Sequence, residues 1–323
     1  MTPDAPPFYI GVDVGGTNMS AAVVDSTNRA IRAVRSRTRA HLGHESVLGR
    51  IGKMATLVRK EAGLKRRQIA GIGVGIPAAI NIESGVALDA PNLGWKHLEV
   101  RRALEKITGL PTAIDNDVNV AVYGEVKAGA AAGFQDALGI WTGTGVGGGL
   151  VLSGSLYYGH HFTAGEIGHT TILPGSGLGR ETLEEVASRG AIVRTLRELI
   201  QAGQPSMIRE MVEGDFDQLK SKVLAEAVLA GDKLAIRVVR DAARFTGIVA
   251  ANFVTVLSLP CVVLGGGLPT QLGTAWAEWV RESVVEHVWP DELRKVKVVV
   301  TQLGDDSGTI GAAIVARERL ANG

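Results

Sequence analysis

Cys261 is the one cysteine in 323 residues, which excludes an internal disulfide and any multi-cysteine metal site. No uncharged apolar run reaches the roughly 20 residues needed to span a bilayer. Neither charge sign dominates: the formal net charge is +1, so composition gives no reason to expect nucleic acid or an anionic membrane as a partner. The first seven residues, MTPDAPP, lack the basic and apolar regions of a signal peptide, and the expectation is a cytoplasmic protein. Short-period repeats, low-complexity tracts and obvious linkers are also missing. What remains is a soluble globular composition, 46% apolar and 21% charged, long enough for two domains with their own cores. Its anomaly is glycine: 42 residues, nearly twice the usual ~7%.

The glycines cluster in loops. Leu138 to Gly154 reads LGIWTGTGVGGGLVLSG, an apolar run, a glycine turn and a second apolar run. Phe8 to Asp25, FYIGVDVGGTNMSAAVVD, repeats the device, with Asp13 two residues before its glycines. Strand, turn, strand is the direct reading of both. Without Cβ atoms, successive backbone N–H groups can converge on an anion, and Thr142 and Thr144 add hydroxyls beside them. A dinucleotide-binding G-x-G-x-x-G requires a helix at the glycines, whereas strand follows here. Two such hairpins about 130 residues apart point to a duplicated fold with one phosphate-gripping turn per half, although a glycine-rich turn with no ligand has the same local sequence.

Between the hairpins the pattern predicts a third strand near 29–38, a helix over 45–62, a buried strand over 69–76, a polar connection over 81–95, a helix over 97–108 and a short strand over 111–115. Beyond the second hairpin come helices over 182–202, 216–230 and 232–257, the buried strand CVVL (261–264) ending in Gly265-Gly266-Gly267, a helix over 276–288, a strand over 295–300 and a final helix over 307–320. Strands alternating with helices in two similar halves indicate an α/β protein of two domains with a cleft between them.

Several side chains carry candidate chemistry. Asp117, in D-N-D-V-N (115–119), stands where a strand gives way to a helix; Asn116 or Asp117 can simply cap that helix, or Asp117 can serve as general base toward a hydroxyl. Phosphoryl transfer asks a protein for phosphate cradles, a metal and such a base, and the two hairpins, Asp13 and Asp117 would supply that set. Glu166 and His169, in A-G-E-I-G-H, can face one polyol, ligate a metal or stabilise their loop. Asn92 is a turn residue whose amide can also reach sugar hydroxyls, and Glu184 opens a helix, where an acidic residue is already favoured. Gly265 to Gly267 either let the chain turn or present bare backbone to an adenosine.

Taken together, GVDVGGTN (11–18), GIGVGIPAAI (71–80), APNLGW (90–95), DNDVNVAVYGE (115–125), GTGVGGGLVLSG (143–154), AGEIGH (164–169), LEEVAS (183–188) and VVLGGG (262–267) resemble the ROK family of repressors and sugar kinases, from Tyr9 to Leu320. The resemblance implies the two-domain actin-like ATPase (ribonuclease H-like) fold with a central cleft. It implies a small domain over 1–116, with helix 308–323 packing back on it, and a large domain over 117–307. It implies an ATP-dependent hexose kinase acting on the 6-hydroxyl, with glucose as the first candidate and N-acetylglucosamine, N-acetylmannosamine, mannose or fructose as alternatives. Asp117 would be the catalytic base; Asn92, Asn116, Glu166, His169 and Glu184 would hold the sugar. Gly15, Gly16, Thr17 and Asn18, with Thr142, Gly143, Thr144, Gly145, Gly147 and Gly148, would hold the nucleotide phosphates, Asp13 would stand near Mg2+, and Gly265, Gly266 and Gly267 would line the adenosine. Polyphosphate replaces ATP in some relatives, and a homodimer is the usual state. Sugar binding would draw the domains together and exclude water.

Two departures matter. Many family members follow the Gly-His with a Cys-x-Cys-Gly-x-x-Gly-Cys segment that binds zinc with that histidine; here HTTILPGSGLGRETLE (169–184) has no cysteine, so no zinc is expected and His169 is left for the sugar. The family's repressors carry an N-terminal helix-turn-helix, which is not expected here because the first strand begins at about residue 8. A sugar-binding sensor without turnover is the alternative from another class; a nicotinamide oxidoreductase is opposed by the strands after both turns.

Overall fold

The computed structural model describes residues 8–177 and 179–321, which divide into two units: 8–133 with 155–164 and 305–321, and 134–154 with 165–177 and 179–304. The first opens with β1 (Phe8–Val14), β2 (Asn18–Val24) and β3 (Ala30–Arg37), followed by α1 (His44–Glu61) and β4 (Ile69–Ile76). Next come β5 (Ala79–Asn81), β6 (Val86–Ala90) and β7 (Trp95–Leu98), then α2 (Val100–Thr108), β8 (Thr112–Asn116) and α3 (Asp117–Ala128). Its main sheet runs β3-β2-β1-β4-β8, with β1 and β2 antiparallel and β1, β4 and β8 parallel.

Strand alternation assigns the two faces of that sheet. Ile10, Val12 and Val14, with Ile72, Val74 and Ile76, are buried in one cluster with Val47, Leu48, Ile51 and Val58 of α1. The residues between them include Gly11 and Gly73, and against that face lies the last helix of the chain, α11 (Ser307–Ala321). A Cβ on Gly11 would overlap the Thr309 carbonyl, and one on Gly73 the Ala312 carbonyl. Gly311 likewise has no room for a side chain against the Val120 carbonyl of α3. Much of the glycine excess is thus contact distance: backbone packs directly on backbone.

The second unit repeats the first sheet's plan. After β9 (Ala137–Thr142) and β10 (Val146–Leu152), the short β11 (Ser155–Leu156) begins the stretch that belongs to the first unit. Five helices follow: α4 (Leu183–Ala187), α5 (Arg189–Gln201), α6 (Ile208–Met211), α7 (Ser221–Leu229) and α8 (Lys233–Leu257). The unit continues through β12 (Cys261–Gly265), α9 (Gly267–Leu272), α10 (Thr274–His287) and β13 (Lys297–Val300). Strands β10, β9, β12 and β13 lie side by side in that order, with β9–β10 antiparallel and β9, β12 and β13 parallel. This matches β2-β1-β4-β8, as expected of a duplicated fold. Its core joins Leu138 and Ile140 to Val239, Ala250 and Val254 of α8 and to Trp276, Val280 and Val284 of α10.

Four expectations are corrected. The connection at 81–95 carries β6, the middle strand of a three-stranded sheet β5-β6-β7 whose outer strands overlap its two ends, and α2 starts at Val100 because β7 extends to Leu98. The helix expected over 182–202 is two, broken at Ser188, whose extended backbone (ψ 158°) lets its hydroxyl cap Ala191 N. The pattern over 216–230 is a 3-10 turn at Phe216–Gln218 followed by α7. Helix α3 belongs to the first unit, where it interlocks with α11. Among the described residues no helix is long and apolar enough to cross a membrane.

Candidate active site

In the first unit the β1–β2 turn is pinned from below and open above. Gly15 N–H bonds Asn18 O at 2.9 Å, the Thr38 hydroxyl donates to Gly15 O at 2.6 Å, and Thr38 N–H donates to Thr17 O at 2.8 Å. Gly16, Thr17 and Asn18 are exposed, and a Cβ on Gly16 would lie 3.8 Å from Asn92 Cβ, so Asn92 stands beside the turn. Asp13, at the end of β1, packs so tightly on α11 that a Cβ at Gly308 would come within 2.6 Å of its Cγ. Burial, and after it the negative charges of Asp117 and Asp305, push its carboxyl up to about 7.

That crowding of carboxylates is what a hard divalent cation relieves, and Mg2+ commonly takes one or two carboxylates plus waters and substrate phosphates. Asp13 therefore fits as a single anchor. Among the described residues no group of three or more His, Cys, Asp or Glu could hold a metal by itself.

Asn116 is the N-cap of α3: its Oδ1 accepts from Val118 N at 2.8 Å and Asn119 N at 3.1 Å, and its Nδ2 donates to Ala78 O at 3.2 Å. The capping reading therefore describes Asn116, leaving one amide hydrogen for a ligand. Asp117 is the first residue of α3, half-buried, where the N-terminal dipole favours a carboxylate.

In the second unit the turn at Thr142–Gly145 closes through Gly143 N–H to Gly145 O at 2.8 Å. Thr142 Oγ1 is buried without a hydrogen-bond partner, an orphaned hydroxyl of the kind a bound phosphate or water satisfies. The end of β12 lies against this turn: Gly265 leaves no room for a side chain under Trp141, nor Gly266 against Thr142 O. Thr142, Gly143, Thr144 and Gly145 are thereby brought together with Gly265, Gly266 and Gly267.

Gly148 sits elsewhere. It is buried in β10, where a Cβ would meet Gly165 O at 2.6 Å and Ile167 Cγ1 at 2.7 Å, so its bareness lets A-G-E-I-G-H lie flat on the hairpin. Gly147, one residue earlier in β10, is half-buried. That packing delivers Glu166 and His169, whose Oε2 and Nε2 stand 4.0 Å apart on exposed side chains. Burial raises the Glu166 carboxyl, His169 opposes the shift and Glu184 adds to it. Glu184 reaches back to the glycine turn, its Oε2 accepting from Val146 N at 2.8 Å. Glu166, His169 and Glu184 therefore share one locality.

The loop after His169 does not fit zinc, since its only soft or nitrogen donor is that histidine. Hydrogen bonds hold it instead. Ile172 N–H and Leu173 N–H reach Glu181 O at 2.7 and 3.1 Å, and Glu185 Oε2 accepts from Glu181 N and Thr182 N, each at 3.0 Å. Arg194 of α5 bridges Gly179 O at 2.9 Å and Glu185 O at 2.6 Å. Sequence reasoning also passed over Arg189, the first residue of α5. Its N–H donates to Gly143 O at 3.0 Å and its guanidinium to the Thr144 hydroxyl at 3.1 Å. A cation at a helix N-terminus following a serine cap was the available signal.

Comparison with known proteins identifies the family. The ROK family profile matches residues 9–319. A glucokinase of Halalkalibacterium halodurans is 30% identical over 320 residues, covering 97% of this chain and 96% of the relative. A xylose repressor of Caldicellulosiruptor bescii is 28% identical, covering 81% of this chain and 66% of the repressor. Among solved structures, a ROK family glucokinase from Streptomyces griseus in complex with glucose and AMPPNP superposes with a TM-score of 0.86 at 29% identity, over 96% of this chain and 99% of that one. The fold is thus the two-domain actin-like ATPase fold of those kinases. On its sequence and its structure alike, the chain belongs to the ROK family.

Proposed function

We propose that this protein is an ATP-dependent hexose kinase that phosphorylates the 6-hydroxyl of glucose, with Asp117 as general base. The observation that carries the reading is the placement of Asp117: first residue of α3, electrostatically coupled to Asp13, in the unit that also presents the exposed Gly15–Asn18 turn. Glucokinases similar over nearly the whole chain support glucose as the acceptor.

Asp117 accepts the proton as the sugar oxygen attacks the γ-phosphorus; the new O–P bond forms while the bond to the β-phosphate oxygen breaks and ADP departs. Asn92, Glu166, His169 and Glu184 orient the sugar, and Asn116 contributes its remaining amide hydrogen. Backbone N–H groups of Gly15–Asn18 and Thr142–Gly145 receive the phosphates, as the orphaned Thr142 hydroxyl supports. Gly265–Gly267 provide bare backbone for the adenosine. Asp13 would hold Mg2+, which when bound would supply charge neutralisation for the phosphates.

The test is ADP release with Mg-ATP against glucose, mannose, fructose, N-acetylglucosamine and N-acetylmannosamine, with Asp117→Asn alongside. Turnover with glucose that falls by about 10²-fold or more in the variant is expected; turnover unchanged in Asp117→Asn defeats the assignment. The match to a xylose repressor favours, as second reading, a sugar sensor without turnover. Sugar binding with no ADP release on any acceptor would select it.

A further inference from the structure

Asp115 is only 1% exposed and has no part in the chemistry above, yet it precedes Asn116 and Asp117 directly. Its two oxygens serve different sides. Oδ1 accepts the Asn116 N–H at 2.7 Å and Asn119 Nδ2 at 3.1 Å, both within the turn that carries Asp117. Oδ2 accepts the Tyr158 hydroxyl at 2.6 Å, and the Arg319 guanidinium closes on both that oxygen and the Tyr158 hydroxyl.

Arg319 also donates to Ile114 O at 2.9 Å, and its guanidinium carbon stands 5.3 Å from the Tyr158 ring centroid. Tyr158 comes from the 155–164 stretch and Arg319 from the last turn of α11, more than 40 and 200 residues distant in sequence. Burial, followed by the charge of Asp115, drives the Tyr158 phenol far above its ordinary value, so it stays a proton donor. Burial opposes the charge on Arg319, but Asp115 and Tyr158 outweigh it and keep the guanidinium ionised.

We propose that Tyr158 and Arg319, acting through Asp115, are positioning residues that set the direction and the charge state of Asp117. The inference rests on Asp117 being the base. The Asn116 N–H lies where the chain leaves β8 for α3, and fixing it fixes the backbone from which Asp117 projects. Charge balance is the second effect: Asp13 of β1 also acts on Asp117 and is left unchanged by substitutions at Tyr158 and Arg319, so the difference between variants comes from Asp115 and Arg319. An unpaired Asp115 carboxylate two residues from Asp117 would hold the base protonated to higher pH; Arg319 cancels that field. A plain structural staple would anchor the 155–164 stretch and α11 with no influence on how the base titrates.

Tyr158→Phe, Arg319→Gln and Arg319→Lys separate the two roles by melting temperature, by kcat and sugar KM across pH, and by amide hydrogen exchange over 115–120. Tyr158→Phe is expected to lower kcat about tenfold with the acid limb of its pH profile in place, because Arg319 still balances Asp115. Arg319→Gln is expected to lower kcat further and move that limb upward by about one pH unit. Arg319→Lys should restore the limb without restoring kcat, since an ammonium lacks the planar fork.

Faster exchange at Asn116, Val118 and Asn119 should accompany the losses. Folded variants with lowered melting temperature but kcat and acid limb within twofold of wild type would overturn the proposal. If Arg319→Gln does not fold, Tyr158→Phe and Arg319→Lys decide by the same criteria. A wild-type protein with no turnover on any sugar defeats the kinase reading instead; exchange then decides the clamp, faster in Tyr158→Phe upholding it and unchanged overturning it.

Discussion

Arg189 stands where the second glycine turn meets the start of α5, and among the described residues no acidic side chain pairs with it. A guanidinium that spends one donor on the Thr144 hydroxyl keeps others for a phosphate. Arg189→Met is expected to raise the KM for ATP about tenfold or more, the worth of one charge-assisted hydrogen bond, with the KM for sugar unchanged; initial-rate kinetics with each substrate varied checks this. Asp232 marks a residue whose role is stability. Burial pushes its carboxyl up, but donation from Ala235 N, the Ser206 hydroxyl and Met207 N outweighs burial and holds it below the ordinary value. Its contribution is present above the unfolded pKa and is lost as pH falls through the lower folded one. Asp232→Ala should cost about 1–2 kcal/mol at neutral pH, and urea melts should show the gap to wild type closing below pH 4.

At the scale of elements, α11 and the 170–182 loop are held by opposite means. The helix lies on β1, β4 and α3 by backbone contact, so a single methyl at Gly311 has nowhere to go. Gly311→Ala is expected to destabilise by about 3 kcal/mol or more, as overpacking against rigid carbonyls does, whereas Gly49→Ala, with open space around it, should be nearly neutral or stabilising. Thermal melts of the two variants make the comparison. The loop depends on side chains: Arg194→Met removes two carbonyl contacts next to α4. The variant should raise the sugar KM several-fold by loosening Glu184, while a zinc-selective chelator leaves the parent enzyme's rate unchanged.

These elements also show what could be read from the residues. Both hairpins were legible because a glycine turn between apolar runs is a local pattern. The break at Ser188 was not, since an apolar stripe runs across it and only the cap on Ala191 reveals two helices. Nor was the clamp on Asp115, whose partners arrive from remote parts of the chain.

For the whole molecule, the repeated sheet order places a glycine turn at the head of each unit, and this duplication was visible from the spacing of the two hairpins. Specific sugar binding should therefore register as stability of the fold: glucose at 100 times its dissociation constant adds about 2.7 kcal/mol. A thermal-shift series over the five sugars should rank glucose first; a larger shift with an N-acetyl sugar would reassign the acceptor. The membership of α11 in the first unit has a consequence for how the protein is made. Synthesis delivers β1 first, but the face of the sheet carrying Gly11 and Gly73 stays bare until Ser307–Ala321 has left the ribosome. The first unit is therefore expected to complete its fold only once α11 has been made, and a chain truncated near Gly304 is expected to aggregate.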